Sequence, residues 1–322
     1  MRNPPTNPVA PLADCPFITG PTASGKTALA LEVAGRLNGE ILSLDSMAVY
    51  RGLDIGTAKP SPEERRQVLH HLLDLVDPDQ EFSLAEYLAE AARACQAVRA
   101  RGRVPFFVGG TPLYLKALLR GIFQGPPADW EFRRRVVAEA EERGNGWLHE
   151  RVRHVDPRAA QRLHPHDTRR LVRALEVFEK TGRPISDWQQ QFDRARPAAE
   201  CRVFVLDWQR EELYRRIDAR VEVMFGAGLI GEVRHLLTAG QNLGRTARQA
   251  LGYREVFEHL SGQRSLAETI DLVKTRTRQF AKRQLTWFRS LSECRWIQMG
   301  DGRTTSDVAA EILECLGSRG TP

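Results

Sequence analysis

Gly20-Pro21-Thr22-Ala23-Ser24-Gly25-Lys26-Thr27 fits the pattern GxxxxGK[ST], in which backbone N–H groups cradle phosphate oxygens and the lysine adds a point charge. The pattern has this chemistry only where a strand hands over to a helix. Phe17-Ile18-Thr19 is a short β-prone run and Ala28 to Ala34 continues with helical character, so the context is met. The eight residues from Gly20 to Thr27 are therefore read as the cradle of a diphosphate, with Lys26 as a charge on it and Thr27 as a hydroxyl ligand for Mg²⁺. A Gly-rich turn without function is the plain alternative, and the flanking strand and helix argue against it.

Such a site also needs a carboxylate. Glu40-Ile41-Leu42-Ser43-Leu44 reads as a second strand that stops at Asp45-Ser46, and ligands collect at the carboxyl ends of parallel strands, so Asp45 belongs beside the loop. Position alone would equally allow a turn-forming or capping Asp. Val104-Pro105-Phe106-Phe107-Val108 reads as a buried central strand despite its proline, and Gly109-Gly110-Thr111 follows it. A nucleotide-hydrolysing protein with a phosphate loop usually carries a Mg²⁺-organising Asp there. Two glycines and a threonine weaken an ATPase reading; the glycines allow close approach to the backbone, and Thr111 offers a hydroxyl next to Asp45.

The elements that must position these residues are legible in outline. Ser61-Pro62-Glu63-Glu64 and Ser83-Leu84-Ala85-Glu86 open capped helices, the second running to about Arg101. The run from Cys201 to Leu206 returns the chain to the sheet. Helices follow over Glu211 to Phe225, Leu229 to Ala239, from about Ala247, and Ser265 to Leu291, with a last one within Arg303 to Thr321. Along the longest, Ile270, Val273, Thr277, Phe280, Gln284, Phe288 and Leu291 share one face, while Lys274, Arg278, Lys282 and Arg289 take another. Lys274 to Arg289 holds six basic residues and no acidic one, with Phe280, Trp287 and Phe288 interleaved, the footprint of a face for nucleic-acid phosphates.

Between Gly125 and Arg196 arginines crowd a helical pattern, among them Arg133-Arg134-Arg135, Arg151, Arg169, Arg170 and Arg173. A solvated surface laced with glutamate pairs is the bland reading of this stretch. The expected organisation is a tail over 1–14, a catalytic core over 15–124 and 197–316, a helical insertion over 125–196 and a tail over 317–322. The 322 residues are 42% hydrophobic, enough for a substantial core, and 47 Lys and Arg against 41 Asp and Glu leave a net charge of +6. That charge permits a polyanionic partner. Five scattered cysteines without a CxxC pair suggest neither a disulfide framework nor a zinc site. No apolar run approaches the roughly 20 residues of a membrane span, and Met1 to Asp14 has four prolines and no apolar core of a signal peptide, so a cytoplasmic protein is expected.

Placed together, DSMAVYRGLDIGTAKP (45–60), GGTPLY (109–114), RRLVRALEVF (169–178), QALGYRE (249–255) and KRQLTWFR (282–289) resemble the signature blocks of the bacterial tRNA dimethylallyltransferases. The resemblance runs from about Phe17 to Trp296. It implies an α/β fold, a P-loop NTPase-like parallel sheet flanked by helices with an inserted all-helical subdomain. It implies transfer of a dimethylallyl group from dimethylallyl diphosphate to the exocyclic N6 amine of the adenosine immediately 3′ of the anticodon, with release of pyrophosphate and Mg²⁺ as cofactor. Asp45 matches the family's general base, Thr111 would orient Asp45 or the amine, and Arg220 matches a family arginine assigned to pyrophosphate. The tRNA anticodon stem-loop would be contacted by Asp45, Ser46, Met47, Ala48 and Thr111, by Arg133, Arg169, Arg170, Leu171, Val172 and Arg173, by Gln249, Gly252, Tyr253 and Arg254, and by Lys282, Arg283, Gln284, Thr286, Trp287 and Arg289. Ala48 departs from the glutamine common in the family, which removes a side-chain hydrogen bond at that point. The target base must be flipped out of its stack to reach Asp45, at a cost of about a few kcal/mol that the basic residues offset. A monomer without a membrane partner is expected. The competing readings are an isopentenyltransferase acting on free adenine nucleotides, a small-molecule kinase and a non-catalytic RNA-binding protein.

Overall fold

Short, almost wholly apolar runs separated by capped helices assemble into one parallel sheet, as strands buried on both faces must. The computed structural model describes residues 12–122, 125–189, 195–238 and 243–317. The chain divides into two compact units, one formed by Met1–Leu119 with Ala195–Pro322 and the other by Arg120–Arg194.

The first unit runs β1 (Phe17–Thr19), α1 (Lys26–Arg36), β2 (Gly39–Ser43), α2 (Pro62–Gln67), β3 (His70–His71), α3 (Leu84–Ala100), β4 (Val104–Gly109) and α4 (Pro112–Arg120). After the second unit, which holds α5 (Trp130–Arg143), α6 (Asn145–Val155), α7 (Pro157–Arg162), α8 (Thr168–Thr181) and α9 (Ile185–Trp188), it resumes with β5 (Val203–Asp207) and α10 (Arg210–Gly226). It ends with α11 (Leu229–Thr238), α12 (Arg245–Arg248), α13 (Tyr253–Leu260), α14 (Leu266–Arg289), β6 (Cys294–Gln298) and α15 (Thr305–Gly317).

The sheet order is β3-β2-β4-β1-β5-β6, every pair parallel. Strand β1 lies between β4 and β5, with Phe17 beside Phe107 and Val203, and the Phe17 and Phe107 rings stack at 5.0 Å. All three strands therefore point their carboxyl ends at the same edge, where the phosphate loop emerges. Ile18, Leu29, Val33, Phe106, Val308 and Ile312 pack the α1 and α15 side of the sheet into one apolar cluster. Ser61, Ser83 and Ser265 each form a capping box with the glutamate three residues on, worth about 1 kcal/mol per helix start.

Four features differ from the sequence reading. The two edge strands β3 and β6 carry no clear sequence signal, because one is two residues long and the other mixes Arg and Gln into its run. Leu12 and Ala13, read above as tail, are buried against the core, and the Ala13 carbonyl accepts a bond from Arg196; residues 1–11 lie outside the described residues, as do 318–322 of the C-terminal tail. On α14 the buried stripe is Val273, Thr277, Ala281, Gln284 and Phe288, so Ala281 replaces Phe280, which is exposed. An i+3 and an i+4 step both satisfy a 3.6-residue period, and the small Ala281 fits against Ala23, Leu213 and Ile217.

The second unit has its own core. Helix α8 contributes Leu171, Val172, Ala174, Leu175 and Val177, which meet Phe132 and Val136 of α5 and Leu148 and Val152 of α6. Glu176 is buried in the same helix.

Candidate active site

Ala23 at φ 63 and Gly25 at φ 88 turn the loop back on itself just before α1 begins, a backbone form that lines up N–H groups for an anion. The Lys26 ammonium reaches across this loop, donating to the Gly20 carbonyl at 3.1 Å, the Pro21 carbonyl at 2.6 Å and Ser24 Oγ at 3.4 Å. Helix α10 carries Arg216 and Arg220 one turn apart, hence on one face. Arg216 Nε donates to the Ala23 carbonyl at 2.9 Å, and its guanidinium lies 4.2 Å over the Trp208 ring. Trp208 Nε1 in turn donates to the Ser24 carbonyl at 3.0 Å. The Ala23 and Ser24 carbonyls of the loop are thus each matched by a side-chain donor.

Arg220 is the informative neighbour. Its Nε is enclosed and has no hydrogen-bond partner, and an enclosed guanidinium N–H without an acceptor is costly unless a ligand supplies one. Burial, and then the positive charge of Arg220, push Lys26 down to about 7. Burial also lowers the Arg220 pKa, and the Asp45 carboxylate opposes the shift in both groups. Two partly buried cations share one acid, which makes the space a receptor for a multiply charged anion.

Asp45 sits just beyond the end of β2. Its Oδ1 accepts from the Met47 N–H at 2.8 Å and the Ala48 N–H at 3.3 Å, an Asx turn that fixes the carboxylate. Among the described residues its Oδ2 has no hydrogen-bond partner. Thr111 does not hold Asp45 directly: its Oγ1 accepts from the Ser46 N–H at 3.1 Å, and its own N–H donates to the Leu44 carbonyl at 3.1 Å. It fixes the turn that presents the carboxylate. The close approach that the two glycines permit is made by the protein itself, since a Cβ at Gly109 would lie 2.2 Å from the Leu44 carbonyl oxygen and one at Gly110 2.6 Å from Gln284 Nε2.

The residues expected to contact RNA fall into two sets. Lys282, Arg283, Thr286 and Arg289 are exposed along the last turns of α14, and Trp287 is half-buried there. Arg169, Arg170, Gln249 and Arg254 are exposed as well, with Arg170 paired to Asp167 and Arg254 to Glu258. The others are buried or paired within the protein. Leu171, Val172 and Ala48 are buried, so their side chains serve packing, and the buried Gly252, at φ 90, has only backbone to offer. Tyr253 is buried and donates to Glu232, whose carboxylate also accepts the Asp54, Ile55 and Gly56 N–H groups; it is a post for that loop rather than a stacking surface. Gln284 is 4% exposed and turned toward the phosphate loop. Arg133 and Arg173 both engage the buried Glu176, Arg133 with two bonds at 2.8 and 2.7 Å. Burial would raise the Glu176 carboxyl, but the bonds from Arg133, the Asp129 N–H and Arg173 outweigh it and hold it below the ordinary glutamate range.

The stretch of six basic residues is also less free than its sequence suggests. Lys274 pairs with Glu222, Arg276 with Glu255, and Arg278 with Asp218 at 2.8 Å, whereas Lys282 and Arg283 have no acidic partner among the described residues. Acids from α10 and α13 neutralise its first half.

A divalent cation fits the chemistry of the loop. No group of three or more His, Cys, Asp or Glu side chains that could cage a metal occurs among the described residues, but Mg²⁺ keeps several waters and is held by one or two protein groups plus substrate phosphates. The Thr27 hydroxyl, at the second position of α1, is of the right kind.

A family model described as IPP transferase matches residues 48–291. The chain belongs to the IPP transferase family. A model described as Isopentenyl transferase matches residues 14–77, the stretch holding the loop and Asp45. A tRNA dimethylallyltransferase of Rhodopirellula baltica is 48% identical, covering 97% of this chain and 95% of its own length. A tRNA dimethylallyltransferase 2 of Geotalea uraniireducens is 47% identical over 92% of this chain and 96% of its own. Among solved structures, a full-length tRNA isopentenylpyrophosphate transferase from Bacillus halodurans superposes with a TM-score of 0.68 at 38% identity, covering 95% of this chain and 96% of that one. A eukaryotic dimethylallyltransferase acting on tRNA does so with a TM-score of 0.76 at 27% identity, over 96% of this chain and 80% of that one. In this member of the IPP transferase family the α/β fold with a parallel, helix-flanked sheet is as expected. No helix among the described residues is long and apolar enough to cross a membrane. Trp208 and Arg216 carry no sequence signal, since an arginine among the four of α10 bears no mark of the carbonyl it will meet.

Proposed function

We propose that this chain transfers the dimethylallyl group of dimethylallyl diphosphate to the N6 amine of the adenosine immediately 3′ of the anticodon of tRNA. The observation that carries the reading is the phosphate loop with Lys26 reaching across it and, beside it, the enclosed Arg220 Nε left without an acceptor. A diphosphate leaving group answers both charges. As the allylic C–O bond breaks, negative charge grows on the diphosphate, and donors already aimed there stabilise it without reorganising. The adenine nitrogen bonds to the allylic carbon, and its surplus proton goes to Asp45, whose Oδ2 is the available oxygen. Mg²⁺, held by Thr27 and the diphosphate oxygens, would neutralise part of the same charge. Lys282, Arg283 and Arg289 of α14, with Arg169 and Arg170 of α8, provide basic side chains for RNA phosphates. The protein acts as a monomer in the cytoplasm.

A free adenine nucleotide is the second reading, since the match over 14–77 holds the donor site alone. It leaves the exposed basic end of α14 without a role. Labelled dimethylallyl diphosphate offered with bulk tRNA or with AMP separates the two: label in tRNA is the expected result, and label in AMP alone overturns it.

A further inference from the structure

A glutamine buried near the C-terminal end of a long helix, between exposed basic residues, needs a reason, because its carboxamide must find both a donor and an acceptor. Gln284 finds them in two segments far away in sequence. Its Oε1 accepts from the Thr22 N–H of the phosphate loop at 2.9 Å, and its Nε2 donates to the Gly110 carbonyl after β4 at 2.6 Å. The contact is tight: a Cβ on Gly110 would lie 2.6 Å from the same Nε2 and 3.2 Å from the Gly20 carbonyl oxygen. Beside it, Ala281 packs against Ala23 of the loop. Helix α14 therefore braces the loop from within while its outer face carries Lys282 and Arg283.

We propose that Gln284 is a positioning residue of the diphosphate loop. It ties the Thr22 amide to the Gly110 carbonyl, one residue before Thr111, which holds the turn of Asp45. One side chain thus sets the distance between the leaving-group cradle and the proton acceptor. The assignment rests on the diphosphate reading above and differs from a role in touching tRNA, which the burial of Gln284 opposes.

Gln284→Met keeps the length of the side chain and removes both bonds, leaving a buried N–H and a buried carbonyl unmatched. Pyrophosphate and dimethylallyl diphosphate binding by calorimetry, tRNA binding at equilibrium and single-turnover rates would be measured on the full chain. The expected pattern is a Kd for pyrophosphate raised about tenfold and a transfer rate lowered about tenfold or more, with tRNA affinity within about twofold of wild type. Gln284→Glu keeps the acceptor for Thr22 but sets a carboxylate oxygen against the Gly110 carbonyl and a negative charge beside the anion cradle, so its loss should be at least as large. Should Gln284→Met not fold, Gly110→Ala pushes on the same carboxamide without touching α14 and should move pyrophosphate binding the same way. Wild-type diphosphate binding in folded Gln284→Met or Gly110→Ala, or weakened tRNA binding with an unchanged KM for the diphosphate, overturns the assignment. A wild-type protein that binds neither diphosphate removes the functional reading itself, and the positioning role with it.

Discussion

The loop site and the core of the helical unit both gather two cations and one acid, yet they are built to opposite ends. At the loop, Lys26 and Arg220 face Asp45, but the Arg220 Nε has no acceptor and Lys26 is drawn down to about 7. In the second unit Arg133 and Arg173 hold both oxygens of Glu176, which takes the Asp129 N–H as well. The first arrangement is electrostatically unfinished and the second is complete. A cluster whose charges are satisfied holds a fold together, whereas one held in deficit by the surrounding packing is a receptor.

The sharpest test of this contrast is at the loop. Asp45→Asn should slow single-turnover transfer by about 10² or more while tRNA binding persists. Arg220→Met should weaken pyrophosphate binding by at least about tenfold and leave the melting temperature unchanged or raised, because an unpaired enclosed charge is removed. A clear loss of stability in Arg220→Met would mean that the site is structural after all.

Next in size, Glu176→Gln should destabilise the helical unit by about 2 kcal/mol, a figure moderated because its two arginines are partly exposed and can turn to water. The same group gives a pH dependence. Its folded pKa lies below the ordinary value of 4.5, so its contribution is full above about 4.5 and disappears as pH falls through the lowered value. Helical signal in the wild type should fall more steeply with acid than in Glu176→Gln, and identical acid curves would break the comparison.

Along α14 the contrast is repeated within one helix. Arg283→Ala should reduce the salt slope of tRNA binding by about one, while Arg278→Ala, whose guanidinium is committed to Asp218, should leave it unchanged. Equal slopes for both would show that ion pairing does not sort these residues.

The smallest effect is a proton. Lys26 has a folded pKa of about 7 against an unfolded value of 10.5, so between those values the unfolded chain binds more protons and this group favours folding progressively as pH rises. At pH 8 the free protein holds Lys26 mainly neutral, and a bound diphosphate draws a proton back. Calorimetry in buffers of different ionisation enthalpy should show uptake approaching one proton, and Lys26→Met should show less.

How far the sequence could be read follows from which interactions are local. The phosphate loop, the Asp45 turn and the serine caps at Ser61 and Ser83 each depend on residues within a few positions, and they could be placed directly. The partition of the arginines could not. Arg133 and Arg283 sit in equally basic stretches, and only the position of Glu176, 43 residues away from Arg133 in sequence, makes one structural while the other stays free of acids. Phe280 and Ala281 likewise share a helical period that the packing against Ala23, Leu213 and Ile217 resolves.

By itself the sequence determined that a diphosphate cradle opens the first helix and that an acid follows the second strand, because backbone conformation and hydrogen bonding over a few residues dictate both. Tertiary structure alone decided that Arg220 would be left in want of an acceptor, that Arg133 and Arg173 would be neutralised, and that Gln284 would brace the loop. These outcomes depend on which groups lose water together, and desolvation is a property of the packed molecule rather than of any stretch of chain.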